Sequence, residues 1–324
     1  MNKIKNKIKK KNTFNPPPHL DEFLLSIQTD NYSPETVYNY ERDLTVFENF
    51  LFEEKIDFDK LTKRDVLNYK AYLSSRDRKT ASEKVSSKRL GSYTINRMLS
   101  SLRSYINFLD DMDYSIPISA ESIKLIKNKK KHPQVAELED LIRLIECPRK
   151  LEKDKVVGLR NQVMLEMLFS TGMRISELIN LKREQINKSG KIFILGKGRK
   201  ERFVYLTPRA KKVLDEYLAL RKDTLPYLFI PLRGRNAKEK DRKISANYLQ
   251  YKIKRYREIL GINVPTSAHS LRHGFATYLA EKGANPAAIQ ILLGHESLDT
   301  TTRYVHASDR YAEETHRKYH PLDG

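Results

Sequence analysis

The sequence contains one cysteine and no tryptophan, and none of its apolar runs is as long as a membrane-spanning helix requires. The lone Cys147 cannot form an internal disulfide, which excludes the class of disulfide-rich secreted scaffolds. Because Cys147 stands at the apparent end of a helix, we expect a buried structural thiol rather than a nucleophile. The basic first segment, MNKIKNKIKKKN, lacks the apolar stretch of a signal peptide. With a mean hydropathy of −0.63, these absences predict a cytoplasmic protein with no membrane partner.

Positive charge is what the sequence has in excess. The chain carries 61 Lys and Arg against 41 Asp and Glu, a formal net charge of +20. Basic residues outnumber acidic ones on both sides of His132, so the excess is not a single basic tail. This distribution favours a polyanion contacted by both halves, above all nucleic acid. The alternative is a basic protein that binds no nucleic acid. If the partner is DNA, we expect the protein to be associated with the nucleoid.

The length of 324 residues predicts about two domains. Composition and periodicity divide the chain into a disordered basic arm, a helical unit, a basic linker and a mixed unit. These four parts are expected at residues 1–13, 14–126, 127–134 and 135–324. The predicted fold class is therefore mainly α with a small β-sheet (α+β).

The first unit is predicted to contain four helices, the shortest of them near Leu20–Ile27. Ser33 followed by Pro34 is a typical helix start, because Ser caps the first turn and Pro fits its first position. Thr62 followed three residues later by Asp65 is a second such start. Apolar residues then recur at spacings of three or four, which gives each helix one buried face.

The second unit combines helices with two β-like runs that flank the connector Gly-Lys-Gly-Arg-Lys-Glu. The runs cover Lys191–Leu195 and Arg202–Leu206, and they predict a hairpin. Helical patterns are found on both sides of this hairpin. They are expected at about 137–147, 158–170, 208–222, 245–260, 270–283 and 285–293, with a polar C-terminal helix from Ser308.

Motifs of nucleotide and metal chemistry are missing. The sequence has no G-x-x-x-x-G-K-[ST] loop, and no G-x-G-x-x-G follows a predicted strand. His269 and His273 are four residues apart on a predicted helix, but no carboxylate completes an H-E-x-x-H zinc site. No acidic cluster of the two-metal nuclease type stands out. We therefore expect no cofactor and no metal.

Five basic residues are left as candidates for the functional site. Arg174 follows Thr-Gly-Met at a helix start, and Lys197 lies between two glycines at the hairpin tip. His269 and Arg272 are three residues apart on one helix face, so both can address the same oxygen atoms. His295 follows Leu-Leu-Gly at the end of a helix.

Five segments carry a resemblance to a known family. They are TGMRISEL (171–178), GKGRKER (196–202), HSLRH (269–273), LLGH (292–295) and TTTRYVH (300–306). In these motifs and in their order, the chain resembles the tyrosine recombinases, and among them the Xer and simple integrase type. The resemblance covers nearly the whole chain, because the first helical unit resembles the core-binding domain of that family. It adds Tyr304 to the candidate residues, although the chain contains 18 tyrosines.

The resemblance implies a role for each candidate residue. Tyr304 would attack the scissile phosphate of DNA and form a 3′-phosphotyrosyl link without ATP. Lys197 would protonate the leaving 5′-oxygen, and His269 would accept or hold the tyrosine proton. Arg174 and Arg272 would bind the non-bridging oxygens and stabilise the charge of the transition state.

Two further residues receive roles from the same resemblance. His295 would donate a hydrogen bond to a phosphate oxygen. Glu177, in the same helix as Arg174, is interpreted as an ion-pair partner that orients this arginine rather than as a catalyst.

The resemblance also implies a fold and an assembly. The expected molecule is a two-domain, C-shaped clamp that closes around double-stranded DNA with inverted-repeat core sites. It would act as a homo-tetramer, or as a tetramer with a paralogous recombinase, through a Holliday junction. The helix from Ser308 would dock in trans, with Tyr311 or Leu322 inserted into a neighbouring subunit.

Two other functions remain open at this point. A type IB topoisomerase would use the same residues to relax DNA, and a catalytically silent protein would only bind it. For a recombinase, the sequence does not choose between resolution of chromosome or plasmid dimers and integration of a mobile element.

Overall fold

The structure is a computed structural model that describes residues 15–76, 78–82, 84–85, 89–127, 134–195, 201–234, 237 and 242–294. The chain divides into two compact units between Lys131 and His132. Each unit contains its own hydrophobic core. Four predicted features lie wholly or mostly outside the described residues: the basic arm 1–13, the linker 127–134 apart from its two end residues, the hairpin tip 196–200 and the helix from Ser308.

The described part of the N-terminal unit contains four α-helices, as the periodicity predicted. They are α1 (Leu20–Thr29), α2 (Pro34–Glu54), α3 (Lys63–Ser74) and α4 (Ser92–Asp111). Aromatic side chains occupy much of the core between these helices. Phe47 and Phe50 of α2 pack against Tyr69 of α3, and Tyr105 of α4 contacts Phe23 of α1. The four helices therefore bury one shared core, which none of them could form alone.

Both predicted helix starts in this unit are confirmed. The side chain of Ser33 accepts a hydrogen bond from the backbone N–H of Thr36 at 3.2 Å. Thr62 accepts from the N–H of Asp65 at 3.3 Å, and the Asp65 carboxylate accepts from the N–H of Thr62 at 2.9 Å. These contacts satisfy N–H groups that have no partner within the helix.

The C-terminal unit surrounds the helix α7. Its helices are α5 (Leu138–Glu146), α6 (Pro148–Leu151), α7 (Lys155–Thr171), α8 (Ile175–Asn180), α9 (Pro208–Leu220), α10 (Ala246–Ile259), α11 (Ala268–Glu281) and α12 (Pro286–Leu293). Val163, Met164 and Leu165 are consecutive residues of α7 and all three are fully buried. A helix buried on all sides belongs at the centre of a domain. The helix start predicted at Arg174 is confirmed by α8. The sequence analysis did not identify α6, whose four residues are too few to display a helical period.

The strands β1 (Lys191–Leu195) and β2 (Glu201–Tyr205) form the predicted hairpin. They are antiparallel, with Ile192 opposite Val204, and β2 begins one residue earlier than expected. Ile192 and Val204 are fully buried, whereas Phe203 is exposed. This alternation is that of a sheet with one face on the core. The fold class, mainly α with a small sheet, is confirmed.

Two expectations from composition can be compared with the described residues. Cys147 is buried at the end of α5, and its Sγ donates to the carbonyl of Leu144 at 3.3 Å. Burial raises the pKa of the Cys147 thiol to about 12, so the expectation of a structural thiol is confirmed. No helix within the described ranges is both long enough and apolar enough to cross a bilayer.

Candidate active site

Arg174 lies where α7 ends and α8 begins. Gly172 ends α7 with φ of +62°, and a β-carbon there would overlap the ring of Phe275 on α11. Glycine is the residue that tolerates this conformation and this close approach. Arg174 then caps α8, and its backbone N–H donates to the Glu177 carboxylate at 2.7 Å. As predicted, Arg174 is placed at a helix start, with a guanidinium contact to Glu177 at 3.1 Å.

Arg272 and His269 both lie on α11, as expected. Arg272 is only 3% exposed. Its Nη1 donates to the carbonyl of Gly172 and its Nη2 to the carbonyl of Leu293, each at 2.7 Å. A buried guanidinium requires such acceptors, because an unpaired charge in the interior is costly. Arg272 therefore connects the end of α7 with the end of α12.

His269 is close enough to both arginines to be influenced by their charge. Burial, and then the positive charges of Arg272 and Arg174, lower the pKa of His269 from its ordinary value of 6.5. Its ring packs edge-on against His273, with centroids 4.2 Å apart. His269 is therefore neutral at pH 7 in the free protein, and a neutral imidazole can accept a proton.

The C-terminal end of α12 is the point on which three arginines converge. Three successive carbonyl oxygens accept one guanidinium hydrogen bond each. The pairs are Arg202 with Leu292 at 3.0 Å, Arg272 with Leu293 at 2.7 Å, and Arg174 with Gly294 at 3.3 Å. The last carbonyls of a helix carry partial negative charge and lack partners within the helix, so cations are stabilised there.

The carboxylate of Glu177 balances part of this positive charge. It accepts from Arg202 Nη1 at 2.9 Å and Nη2 at 2.7 Å, as well as from Arg174. Burial alone would raise the pKa of Glu177, but the hydrogen bonds from Arg202 and from the backbone of Arg174 outweigh it and lower the pKa. Among the described residues of the cluster, three guanidiniums and one carboxylate leave an excess of positive charge, which suits an anionic ligand.

Arg202 is the residue of this cluster that the sequence analysis missed as a site residue. It ends the segment GKGRKER, but only Lys197 was selected from that segment. Its position on β2 next to a hairpin was visible, whereas its partners Glu177 and Leu292 are distant in sequence. The signal available in the sequence was a charged residue two positions before Val204, on the strand face that alternation directs toward the core.

Three of the six predicted site residues lie outside the described residues: Lys197, His295 and Tyr304. The chain segments nearest to two of them are described. Leu195 ends β1 and Glu201 begins β2, on either side of the connector that contains Lys197. Gly294, which precedes His295 in the sequence, contacts Arg174 through its carbonyl.

No group of three or more His, Cys, Asp or Glu side chains within the described part of the chain is arranged to hold a metal ion. The chemistry available at the cluster is that of guanidinium and imidazole groups. Such groups bind and stabilise phosphate-like anions through charge-assisted hydrogen bonds.

Comparison with protein families and with individual proteins gives concordant results. Residues 135–310 match the phage integrase family, and residues 20–111 match the phage integrase N-terminal SAM-like domain. Tyrosine recombinase XerD of Staphylococcus haemolyticus is 31% identical over 93% of this chain and 98% of its own length. Tyrosine recombinase XerC of Leptospira interrogans is 33% identical over 90% of this chain and 89% of its own.

Solved structures share the fold. XerH recombinase bound to a palindromic difH substrate superimposes with a TM-score of 0.70 at 23% identity, over 92% of this chain and 83% of that one. The Tn1549 transposon integrase with transposon right end DNA gives 0.68 at 17% identity, over 94% and 99%.

The helical N-terminal unit and the arginine cluster of the C-terminal unit, taken with these relatives, define a tyrosine-type site-specific recombinase. The chain belongs to the phage integrase family. The interpretation as a topoisomerase is not favoured by these relatives.

Proposed function

We propose that the chain cleaves and rejoins duplex DNA at specific sites, with Tyr304 as the nucleophile. The Tyr304 oxygen forms a bond to the scissile phosphorus and the bond from phosphorus to the 5′-oxygen breaks. The tyrosine proton passes to a base, and the leaving 5′-oxygen receives a proton from an acid. A 3′-phosphotyrosyl link retains the energy of the phosphodiester, so rejoining to a second strand through a Holliday junction needs no ATP.

The observation that carries this proposal is the convergence of Arg174 and Arg272 on adjacent carbonyls of α12. The two arginines approach from different helices, and each brings a fixed fork of donors to the same place. Charge develops on the phosphate oxygens in the transition state, and donors positioned in advance stabilise it. The Arg174 side chain is 36% exposed, so a ligand can reach this guanidinium from solvent.

Three other residues complete the proposed chemistry. Lys197 acts as the general acid at the 5′-oxygen, and His295 donates to a phosphate oxygen. His269 accepts or holds the Tyr304 proton, a role supported by its lowered pKa, which keeps the ring neutral near pH 7.

We further propose the domain roles and the partner. Residues 14–126 form the core-binding domain and 135–324 the catalytic domain, joined by the basic linker 127–134 and preceded by the basic arm 1–13. The division of the chain between Lys131 and His132 supports these limits. The partner is double-stranded DNA with inverted-repeat core sites. A net charge of +20 suits this ligand, and XerH and the Tn1549 integrase are both described with DNA.

On this DNA the protein acts as a homo-tetramer or together with a paralogous recombinase, in the cytoplasm at the nucleoid. The helix from Ser308 docks in trans on a neighbouring subunit. The relatives named above are Xer proteins and a transposon integrase. The reaction accordingly serves either dimer resolution or the movement of an integrative element.

A nicked suicide substrate, which traps the covalent intermediate, tests the nucleophile. Wild-type protein should form a covalent protein–DNA adduct on a denaturing gel. Tyr304→Phe should form none and should bind DNA with unchanged affinity, because only the attacking oxygen is lost. Tyr205→Phe, a change at an exposed tyrosine of β2, is the matched control and should form the adduct. An adduct with Tyr304→Phe would contradict the assignment.

A further inference from the structure

We infer that Arg202 is a positioning residue of the recombination reaction: it holds the Glu177 carboxylate and the end of α12 in the one arrangement that orients Arg174 toward the scissile phosphate. This inference rests on the proposed function. It adds to the site a residue of β2 that does not itself contact the reacting atoms.

The contacts of Arg202 fix both of its partners. Nη1 and Nη2 bind the two oxygens of Glu177 at 2.9 and 2.7 Å, and Nε binds the carbonyl of Leu292 at 3.0 Å. Both charged side chains are only 7% exposed. A planar guanidinium that makes two parallel bonds to a carboxylate defines distance and orientation together, which a lysine cannot do.

Glu177 transmits this orientation to Arg174. The same carboxylate oxygens accept from the backbone N–H of Arg174 at 2.7 Å and from its Nη1 at 3.1 Å. Arg174 is therefore held at both its backbone and its guanidinium by a group that Arg202 holds in turn. Loss of Arg202 would remove two of the four hydrogen bonds that the Glu177 carboxylate accepts from the two arginines, so the carboxylate would hold the Arg174 guanidinium less firmly.

Arg202 also fixes α12 from the side of the hairpin. Its aliphatic stem lies against Gly294, where a β-carbon would stand 3.0 Å from Cδ. Arg174 and Arg272 hold the next two carbonyls, so all three cations depend on one helix end. In this way the strand that follows Lys197 in the sequence is joined to the helix end that precedes His295.

A control for Arg202 is an arginine that has a buried side chain and an ion pair with no described connection to Arg174. Arg221, which is paired with Asp223, is such a residue. Its Nε and Nη2 each bind Asp223 at 2.5 Å, and its Nη1 binds the carbonyl of Leu228 at 2.6 Å. Arg221→Gln therefore removes a two-bond carboxylate pair and a bond to a backbone carbonyl, as Arg202→Gln does, together with a bond to the Tyr217 hydroxyl. Among the described bonds, Arg221 has no contact to Glu177 or α12.

The test compares cleavage of two suicide substrates by wild type, Arg202→Gln, Arg202→Lys and Arg221→Gln. One substrate has the natural scissile phosphodiester and the other a methylphosphonate, in which one charged oxygen is replaced by a methyl group. Arg202→Gln should bind DNA within about threefold of wild type and cleave the phosphodiester at least roughly tenfold more slowly. On the methylphosphonate the deficit relative to wild type should shrink to about threefold or less, because less charge has to be stabilised by Arg174.

Arg202→Lys retains the positive charge inside the cluster, so its cleavage rate should fall less, again with a larger loss on the phosphodiester than on the methylphosphonate. This variant tests the role of Arg202 if Arg202→Gln does not fold. Equal deficits on both substrates, or an equal pattern in Arg221→Gln, would mean that Arg202 only stabilises the fold. Wild-type rates in both Arg202 variants would also overturn the inference while leaving the proposed function intact. A wild-type protein that forms no adduct on either substrate would overturn both.

Discussion

Gly294 lies directly against the side chain of Arg202. A β-carbon at Gly294 would stand 3.0 Å from Cδ and 3.2 Å from Nη1 of Arg202, and the backbone of Gly294 has φ of +63°. Two reasons therefore require glycine at this position. The end of α12 needs a residue in the left-handed conformation, and the Arg202 side chain leaves little room for a β-carbon.

The substitution Gly294→Ala should lower both stability and the cleavage rate. The left-handed conformation costs an alanine about 1 kcal/mol of folding free energy, and the contact with Arg202 adds to this cost. Gly283→Ala is the control, because Gly283 also has positive φ but open space around its α-carbon. Urea unfolding and suicide-substrate cleavage measure the two effects. We expect a cleavage defect in Gly294→Ala alone; matching defects in both variants would refute the role assigned to the contact.

The pKa of His269 should be measurably low in the free protein. Burial and the charges of Arg272 and Arg174 lower it, so NMR titration of the ring should give a midpoint below 6.5. Arg174→Gln removes one of these charges and should raise the midpoint. The folded state binds fewer protons than the unfolded state, so the free energy of unfolding should fall as pH decreases below about 6.5. A midpoint at or above 6.5 would contradict the described environment of His269.

Glu177→Gln should destabilise the catalytic unit by about 3 kcal/mol, because it leaves the buried Arg202 guanidinium without its counterion. The lowered pKa of Glu177 implies that its stabilising contribution is present above about 4.5 and is lost as pH falls through the depressed value. The difference in unfolding free energy between wild type and Glu177→Gln should therefore become smaller in strong acid. Glu184→Gln, at a side chain 78% exposed, should change the unfolding free energy by less than about 0.5 kcal/mol. Urea unfolding at pH 7 and at low pH measures both, and similar effects of the two substitutions would contradict the described ion pairs.

Lys197→Ala should be rescued by a better leaving group. If Lys197 protonates the 5′-oxygen, a 5′-bridging phosphorothiolate substrate does not need this proton, and its cleavage should approach the wild-type rate. The natural phosphodiester should remain slow in the variant. Single-turnover cleavage of both substrates provides the comparison. Equal impairment on the two would assign Lys197 to binding rather than to proton transfer.

The sequence was sufficient to predict a structural feature wherever the residues that cause it are close together in the chain. Thr62 and Asp65 cap the same turn, and both partners can be identified because they are three residues apart. Two β-like runs on either side of a glycine-containing connector predicted the hairpin for the same reason. The start of β2 was misjudged by one residue, since a strand boundary depends on its partner strand. The short helix α6 was missed because its four residues make little more than one turn.

For the site, the sequence by itself identified Arg174, His269 and Arg272 through motif order, and it determined the helices that carry them. Only the tertiary structure decided that Arg272 is buried, that Arg202 belongs to the cluster, and that the arginines meet at the end of α12. The physical reason is the separation of the partners along the chain. Arg174 and the carbonyl of Gly294 are 120 residues apart, and Arg272 and that of Gly172 are 100 apart. A local pattern contains no information about such pairs, because their atoms are brought together by the packing of α11 on α7 and of α12 on α11 and β2.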